Sequence, residues 1–137
     1  MASDVVYDAT RAYLAGAWVD TTIQWENENF EPPFSGWIAM EMSGTLYSQA
    51  SIGADVQAEN RGDEEGTLWL HCFAPKGTGT STLRRWAKKL ADLFRGARLL
   101  NDELEFMDAQ IGLGDSGDDD GAAYRITVVI DWRRMES

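Results

Sequence analysis

The stretch Ser81-Thr-Leu-Arg-Arg-Trp-Ala-Lys-Lys-Leu-Ala-Asp-Leu-Phe-Arg95, closed by Gly96, decides the fold class of this chain. Leu83, Trp86, Ala87, Leu90, Leu93 and Phe94 recur at i, i+3, i+4 and i+7, the spacing that lines one face of an α-helix. Gly96 stands where a left-handed C-terminal cap belongs. A helix over 81–95 with one apolar face needs a layer to cover, and the chain supplies strands on both sides of it. Downstream, Tyr124, Ile126, Val128, Ile130 and Trp132 alternate with Arg125, Thr127, Asp131 and Arg133, the period of a half-buried strand. Leu104 to Gln110 reads as a further strand, and the polar, glycine-rich run 112–121 reads as a loop.

Upstream, Thr67 to Phe73 points Leu68, Leu70 and Cys72 one way and Trp69, His71 and Phe73 the other. Both faces are apolar, so this strand is either central and covered or meets another subunit with its second face. Ala54 to Asn60 pairs with it in a hairpin that turns at Arg61–Gly66, a polar segment with two glycines. Pro75 to Thr80 leads into the helix, with Ser81 or Thr82 available as its cap. Trp37 to Met42 is a strand with Ile38, Met40 and Met42 on one face. Pro32-Pro33 interrupts regular structure before it. Thr21 to Glu26, with Ile23 and Trp25 alternating against polar neighbours, reads as a strand. Val5, Ala9, Ala12 and Tyr13 predict a first helix over Asp4–Ala15, started by Ser3 and ended at Gly16. The order predicts an α+β fold, a mostly antiparallel β-sheet with two α-helices packed on one face. With 137 residues, no internal repeat and no long linker, it forms a single domain over 1–137.

Composition narrows the function. There are 23 acidic and 12 basic residues, a net charge of −11, with 44% hydrophobic residues and six Trp. Such a chain folds around a core rather than staying disordered. Its acidic balance argues against gripping nucleic-acid phosphates, which takes clustered positive charge, unless the charge is unevenly spread. One cysteine, Cys72, and one histidine, His71, make neither a disulfide framework nor a Cys/His zinc cage. No apolar run reaches the roughly 20 residues that span a bilayer, and the N-terminus does not read as a secretory signal. A reducing cytoplasm is the expected place of folding, with no membrane partner.

Four motifs invite a chemical reading and fail it. Gly114-Asp115-Ser116-Gly117 resembles a serine-nucleophile signature, but the next residue is Asp118 and the chain is too short for the double-barrel scaffold. Asp118, Asp119, Asp120 and Gly121 suggest a calcium loop. Aligned on Gly121, however, Ser116 falls at the first ligand position and Thr127 at the twelfth, so both key carboxylates are missing. Gly77-Thr78-Gly79 lacks the Gly-Lys-Ser/Thr of a nucleotide loop. His71 and Cys72 are strand neighbours and point to opposite faces, which excludes a thiolate–imidazole pair. Arg61-Gly62-Asp63 is a tripeptide coincidence in an acidic turn. No catalytic constellation, metal site or cofactor site emerges, and the chain reads as a non-enzyme.

Charge segregation is the signal that remains. Six basic residues lie between Arg84 and Arg98 with one acid, Asp92, so that window carries +5 and the other 122 residues carry −16. Arg84, Arg85, Lys88 and Lys89 lie on the helix side away from Leu83, Trp86, Leu90 and Leu93. A basic stripe on an acidic body can meet a neighbouring copy or an acidic partner. Repeated head-to-tail, such a contact closes into a ring when the rotation permits.

The residue succession resembles the tail-terminator (tail completion) proteins of long, non-contractile-tailed bacteriophages and related gene transfer agents. The resemblance rests on the short first helix and on Ile23-Gln-Trp-Glu-Asn-Glu-Asn-Phe-Glu-Pro-Pro33, followed by Trp37 opening the next strand. It continues with Gly53, a hairpin at Gly62–Gly66, Phe73-Ala-Pro-Lys-Gly-Thr-Gly79 and the closing strand from Tyr124 to Trp132. The acidic run Asp115–Asp120 and the six tryptophans depart from the family pattern. The resemblance implies a ring-forming virion protein at the tail–neck junction, assembled in the host cytoplasm. A homo-hexamer would cap the tail tube, end tube-protein addition and offer a docking surface to head-completion or connector proteins. Genomic DNA would pass through the lumen without specific binding, kept from sticking by acidic residues whose field reaches about 10 Å. Asp63, Glu64 and Glu65, or Asp115, Asp118, Asp119 and Asp120, are the expected lumen or rim acids. Arg84, Arg85, Lys88 and Lys89 are the expected inter-subunit contact. The alternatives are another neck or head–tail joining component, a tail-tube protein, for which a turn at 60–67 is short, and an acidic DNA-mimic inhibitor.

Overall fold

The computed structural model describes residues 3–33, 35–49, 62–75, 77, 79–112 and 123–135. In chain order they form α1 (Asp4–Ala17), β1 (Ile23–Gln24), β2 (Trp37–Gln49), β3 (Gly62–Pro75), α2 (Ser81–Phe94), β4 (Arg98–Leu99), β5 (Leu104–Ile111) and β6 (Ala123–Met135). The strands make one six-stranded sheet in the order β1-β2-β3-β6-β5-β4, antiparallel except where β1 runs parallel to β2. Both helices lie on one face of it, as the periodicity predicted.

The alternation in the three central strands explains that face. Register places Met40 beside Leu70 and Leu70 beside Val128, with Ile38, Cys72 and Ile126 forming the next row. All six are buried. Across from them α2 buries Leu83, Trp86, Ala87, Leu90, Ala91 and Phe94 while packing on β3, β5 and β6. This joins a period-2 apolar face to a period-3.6 apolar stripe, the pairing from which two-layer α+β domains are built. After α2, Gly96 adopts φ +73° as expected of a C-terminal cap, and its N–H bonds the Phe106 carbonyl at 3.1 Å. Neither Ser81 nor Thr82 caps the other end. The cap position is Thr80, whose hydroxyl instead accepts a bond from Arg84 Nε at 3.0 Å.

The first helix is present, but it presents a different face from the one read in the sequence. Val6, Thr10 and Leu14 are buried, while Val5 is 44% exposed. This i, i+4, i+8 set turns the larger Leu14 inward, ahead of buried Trp18, and Thr10 satisfies its hydroxyl on the Val6 carbonyl at 2.9 Å. Tyr13 stays half-buried, its ring edge-on to Phe94 and its hydroxyl donating to the Leu93 carbonyl at 2.7 Å. Gly16 lies inside the helix, which runs on to Ala17. The strand expected over 21–26 is shorter than its alternation suggested, with only Ile23–Gln24 on the ladder.

The hairpin is the larger correction. Residues Gly62–Gly66 are strand, not turn: Gly62 pairs with Gln49, Asp63 with Ser48, Glu64 with Tyr47 and Gly66 with Gly44. The segment expected as the hairpin's first arm, 54–60, lies outside the described residues. Gly66 is a glycine because β2 bulges between Gly44 and Leu46 and brings its backbone close. A Cβ on Gly66 would sit 1.9 Å from the Ser43 carbonyl oxygen. A glycine that serves a close strand approach looks, in sequence, like a glycine that serves a turn.

Glu64 shows why this extension of β3 matters. It is 4% exposed and faces the helix side, where its carboxylate accepts from the Ser3 N–H at 3.0 Å and from the Ser3 hydroxyl at 2.8 Å. Arg134 Nη1 lies 3.5 Å away, and Arg134 Nη2 reaches Glu103 at 3.3 Å. Ser3 therefore starts α1 by tying it to the sheet rather than by capping its own helix. Replacing Glu64 by alanine strips Ser3 of its acceptor and takes one carboxylate from Arg134. The expected loss is about 1–3 kcal/mol, read by urea unfolding, with faster amide exchange in the first turn of α1. An unchanged midpoint and unchanged exchange would show that the tie is not structural.

Candidate interaction surfaces

The helices leave the other face of the sheet open. The odd-numbered residues of β3, namely Trp69, His71 and Phe73, stand on it half-exposed, beside Trp37, Ala39 and Glu41 of β2 and Arg125 and Val129 of β6. The doubly apolar strand of the sequence is therefore central, with one face covered by helices and the other left uncovered among the described residues.

Aromatic packing organises this face. Trp37 stacks on Phe73, ring centroids 4.7 Å apart and 14° from parallel, and Phe30 leans against Trp37 at 6.2 Å. The Trp37 indole N–H donates to Gln24 Oε1 at 3.2 Å, which ties β1 to the cluster. His71 bridges three strands: Nε2 lies 3.0 Å from Glu41 Oε1 on β2 and Nδ1 lies 2.9 Å from Thr127 Oγ1 on β6. With both ring nitrogens bonded, the imidazole is held as a structural link between strands. Cys72, next in sequence, is buried on the opposite face, and burial pushes its thiol up to about 12. The two side chains point to opposite faces, as the strand period requires.

Beside the aromatic cluster lies an open groove of about 780 Å³ between the chain at 24–28 and β2–β3. Its lining includes Trp25, Glu26, Glu28, Glu41, Phe73 and Arg125. The outer wall is fastened from both sides. The Met42 N–H donates to Glu26 Oε2, while Arg11 of α1 pairs with Glu28 and lies 4.5 Å over the Trp25 ring. The hydrogen bond from Arg11 holds the Glu28 carboxyl below its usual range. Sequence reading missed this wall because Asn27, at φ +53°, turns the chain out of the strand its alternation promised.

The basic stripe lies on the far side of the sheet, on the outer face of α2. Arg84, Arg85, Lys88 and Lys89 are all exposed. Lys88 pairs with Asp92 at 2.9 Å, one helical turn on, and Lys89 pairs with Asp20 while lying 5.5 Å over the Trp18 ring. Hydrogen bonding from Lys88, with Arg95 nearby, holds the Asp92 carboxyl below its usual range. Arg85 makes no ion pair among the described residues.

The acids singled out in the sequence separate into three groups. Glu65 is exposed and stands opposite Arg133 on β6, and Asp63 is half-buried beside Met135. Glu64 is buried against Ser3 and Arg134, so its charge is neutralised inside the chain and it is not a bare acid for a channel wall. Asp115, Asp118, Asp119 and Asp120 lie outside the described residues, as do the serine and calcium motifs they belong to. Among the described residues no three His, Cys, Asp or Glu side chains converge as a metal site, and no helix is long and apolar enough to cross a membrane.

Comparison with known proteins adds two findings. A family model described as phage tail terminator protein matches residues 5–132. A solved structure whose name bears no functional description matches with a TM-score of 0.70 at 18% identity, over 100% of this chain and 97% of that one. At that identity the likeness concerns the fold. No curated protein matches the chain.

Proposed function

The chain belongs to the phage tail terminator family, and from that premise we propose that it forms a homo-hexameric ring that caps the tail tube. As a member of the family it is a structural component of a phage tail and has its place in the virion. The ring would end tube-protein addition on one face and dock the head-completion or connector protein on the other, with the genome passing through its lumen. The family match over 5–132 is the observation that carries this reading. The open aromatic face of the sheet supports it, since a face rimmed by polar groups and left uncovered among the described residues suits a contact surface. Exposed Glu65, half-buried Asp63 and the acidic run 115–120 are the acids proposed for the lumen or its rims, and α2's basic face is proposed to meet a neighbour.

The rival readings fare differently. The short turn at 60–67 had spoken against a tube protein, and that argument falls because β2 and β3 pair as far as Gln49 and Gly62. The family match favours a terminator over a tube protein. A DNA mimic needs carboxylates free along one face, whereas Glu28, Asp20, Asp92, Glu103 and Glu105 each pair with a cation of the same chain.

Light scattering coupled to sizing chromatography tests the proposal, first on the chain by itself and then after incubation with tail tubes. The expected species has about six times the 15.3 kDa chain mass, and its addition to growing tubes should halt elongation. A chain that stays monomeric with and without tubes, and leaves tube growth unchanged, sinks the reading.

A further inference from the structure

We propose that the groove beside the aromatic cluster receives the basic face of α2 from a second copy of this chain, an assignment that rests on the ring reading above. The groove and α2 lie on opposite faces of one sheet, so no two-fold axis can make them meet within a symmetric pair. Contact between them is heterologous and passes from copy to copy, the arrangement that closes into a ring when the rotation per step permits.

Charge and chemistry match across the proposed contact. The groove carries Glu26, Glu28 and Glu41 around Trp25 and Phe73. Glu26 accepts from the Met42 N–H, Glu28 pairs with Arg11, Glu41 bonds His71 and the lining cation Arg125 is partnered too, so an arriving cation adds to these contacts at carboxylates that are still partly exposed. The arriving helix carries Arg85, without an ion pair among the described residues, and Arg84, bonded to the Thr80 hydroxyl. Two open faces set against each other would instead bring Glu41 of one copy toward the acids of the other, and like charges oppose that pairing.

Charge reversal with rescue tests the assignment. Arg85 lies on the solvent side of α2, and the Glu41 side chain is 60% exposed but bonds His71 Nε2, so the urea midpoint of each variant is measured beside its assembly to show that the fold is kept. Glu41→Lys and Arg85→Glu should each raise the concentration at which half the chains are in rings by about tenfold or more. The double variant, which restores opposite charges at every contact, should return to within a few-fold of wild type. Rings that form equally well in both single variants, or a double variant no better than the worse single one, overturn the groove assignment and leave the ring reading standing. A wild-type chain that remains monomeric on and off tail tubes removes the ring reading and this assignment together. A second readout does not depend on charge: mixed Glu41→Cys and Arg85→Cys chains should form a disulfide-linked pair under mild oxidation, with buried Cys72 silent. Absence of that pair in assembled rings also overturns the assignment.

Discussion

Phe94→Ala is expected to cost about 3–5 kcal/mol, the range for removing a large aromatic side chain from a core that cannot collapse around the gap. Phe94 is fully buried and joins three elements. Its ring meets Tyr13 of α1 edge-on at 5.2 Å and Phe106 of β5 at 5.1 Å, while its backbone closes α2. Each edge-to-face contact adds about 0.5–1.5 kcal/mol beyond simple burial, so the loss should fall toward the upper end of the range. A domain of this size has about 5–15 kcal/mol in total, and the variant therefore sits close to unfolding. Urea titration should show a lower midpoint with an unchanged slope. Phe94→Leu should lose less than about half as much, because it keeps most of the volume. An alanine variant within about 1 kcal/mol of wild type would mean that α1 is not anchored through this ring.

Gly66→Ala should be nearly as damaging, although it adds a single methyl group. In a strand interior alanine ordinarily gains about 0.5–1 kcal/mol over glycine through lost freedom of the unfolded chain. Here the new Cβ would fall 1.9 Å from the Ser43 carbonyl oxygen and 2.7 Å from the Gly44 Cα, and both are backbone atoms that cannot swing aside. β2 and β3 must separate at the bulge, with an expected net loss of about 3 kcal/mol, at the upper end of overpacking effects. Gly16→Ala supplies the contrast. Nothing lies within 4 Å of that position and it sits in a helix, so the same substitution should stabilise by about 0.5–1 kcal/mol. If both variants shift the thermal midpoint in the same direction, the close approach at Gly66 is not what selects glycine there.

Misreading Gly62–Gly66 as a turn has an identifiable cause. Two glycines and three acids in five residues form a polar composition, and local composition favours a turn. The strand survives there because its partners lie far away in sequence: Arg134 and Arg133 on β6 stand opposite Glu64 and Glu65, and Ser3 bonds Glu64 from the start of the chain. The same distance effect rotated α1. Val5 and Val6 are equally apolar, and only docking against the sheet and Leu93 decides which one turns inward. Of the candidate surfaces, the basic stripe was legible because a helix puts i, i+3 and i+4 on one side wherever it packs. The groove was not, since its walls come from 24–28, β2, β3 and β6, which share no sequence pattern.

By itself the sequence determined the fold class, through a 3.6-residue period in 81–95 and a 2-residue period in 124–133, and it determined the family through a succession of residues spread over the whole length. It also determined that charge is segregated. Tertiary structure decided the rest: which face of the sheet the helices cover, that Glu64 is buried while Glu65 is exposed, and that groove and basic helix stand back to back. The physical reason is common to all three. Periodicity is set by the backbone geometry of neighbouring residues, whereas burial, ion pairing and the side of a sheet on which an element lands are set by contacts between residues tens of positions apart.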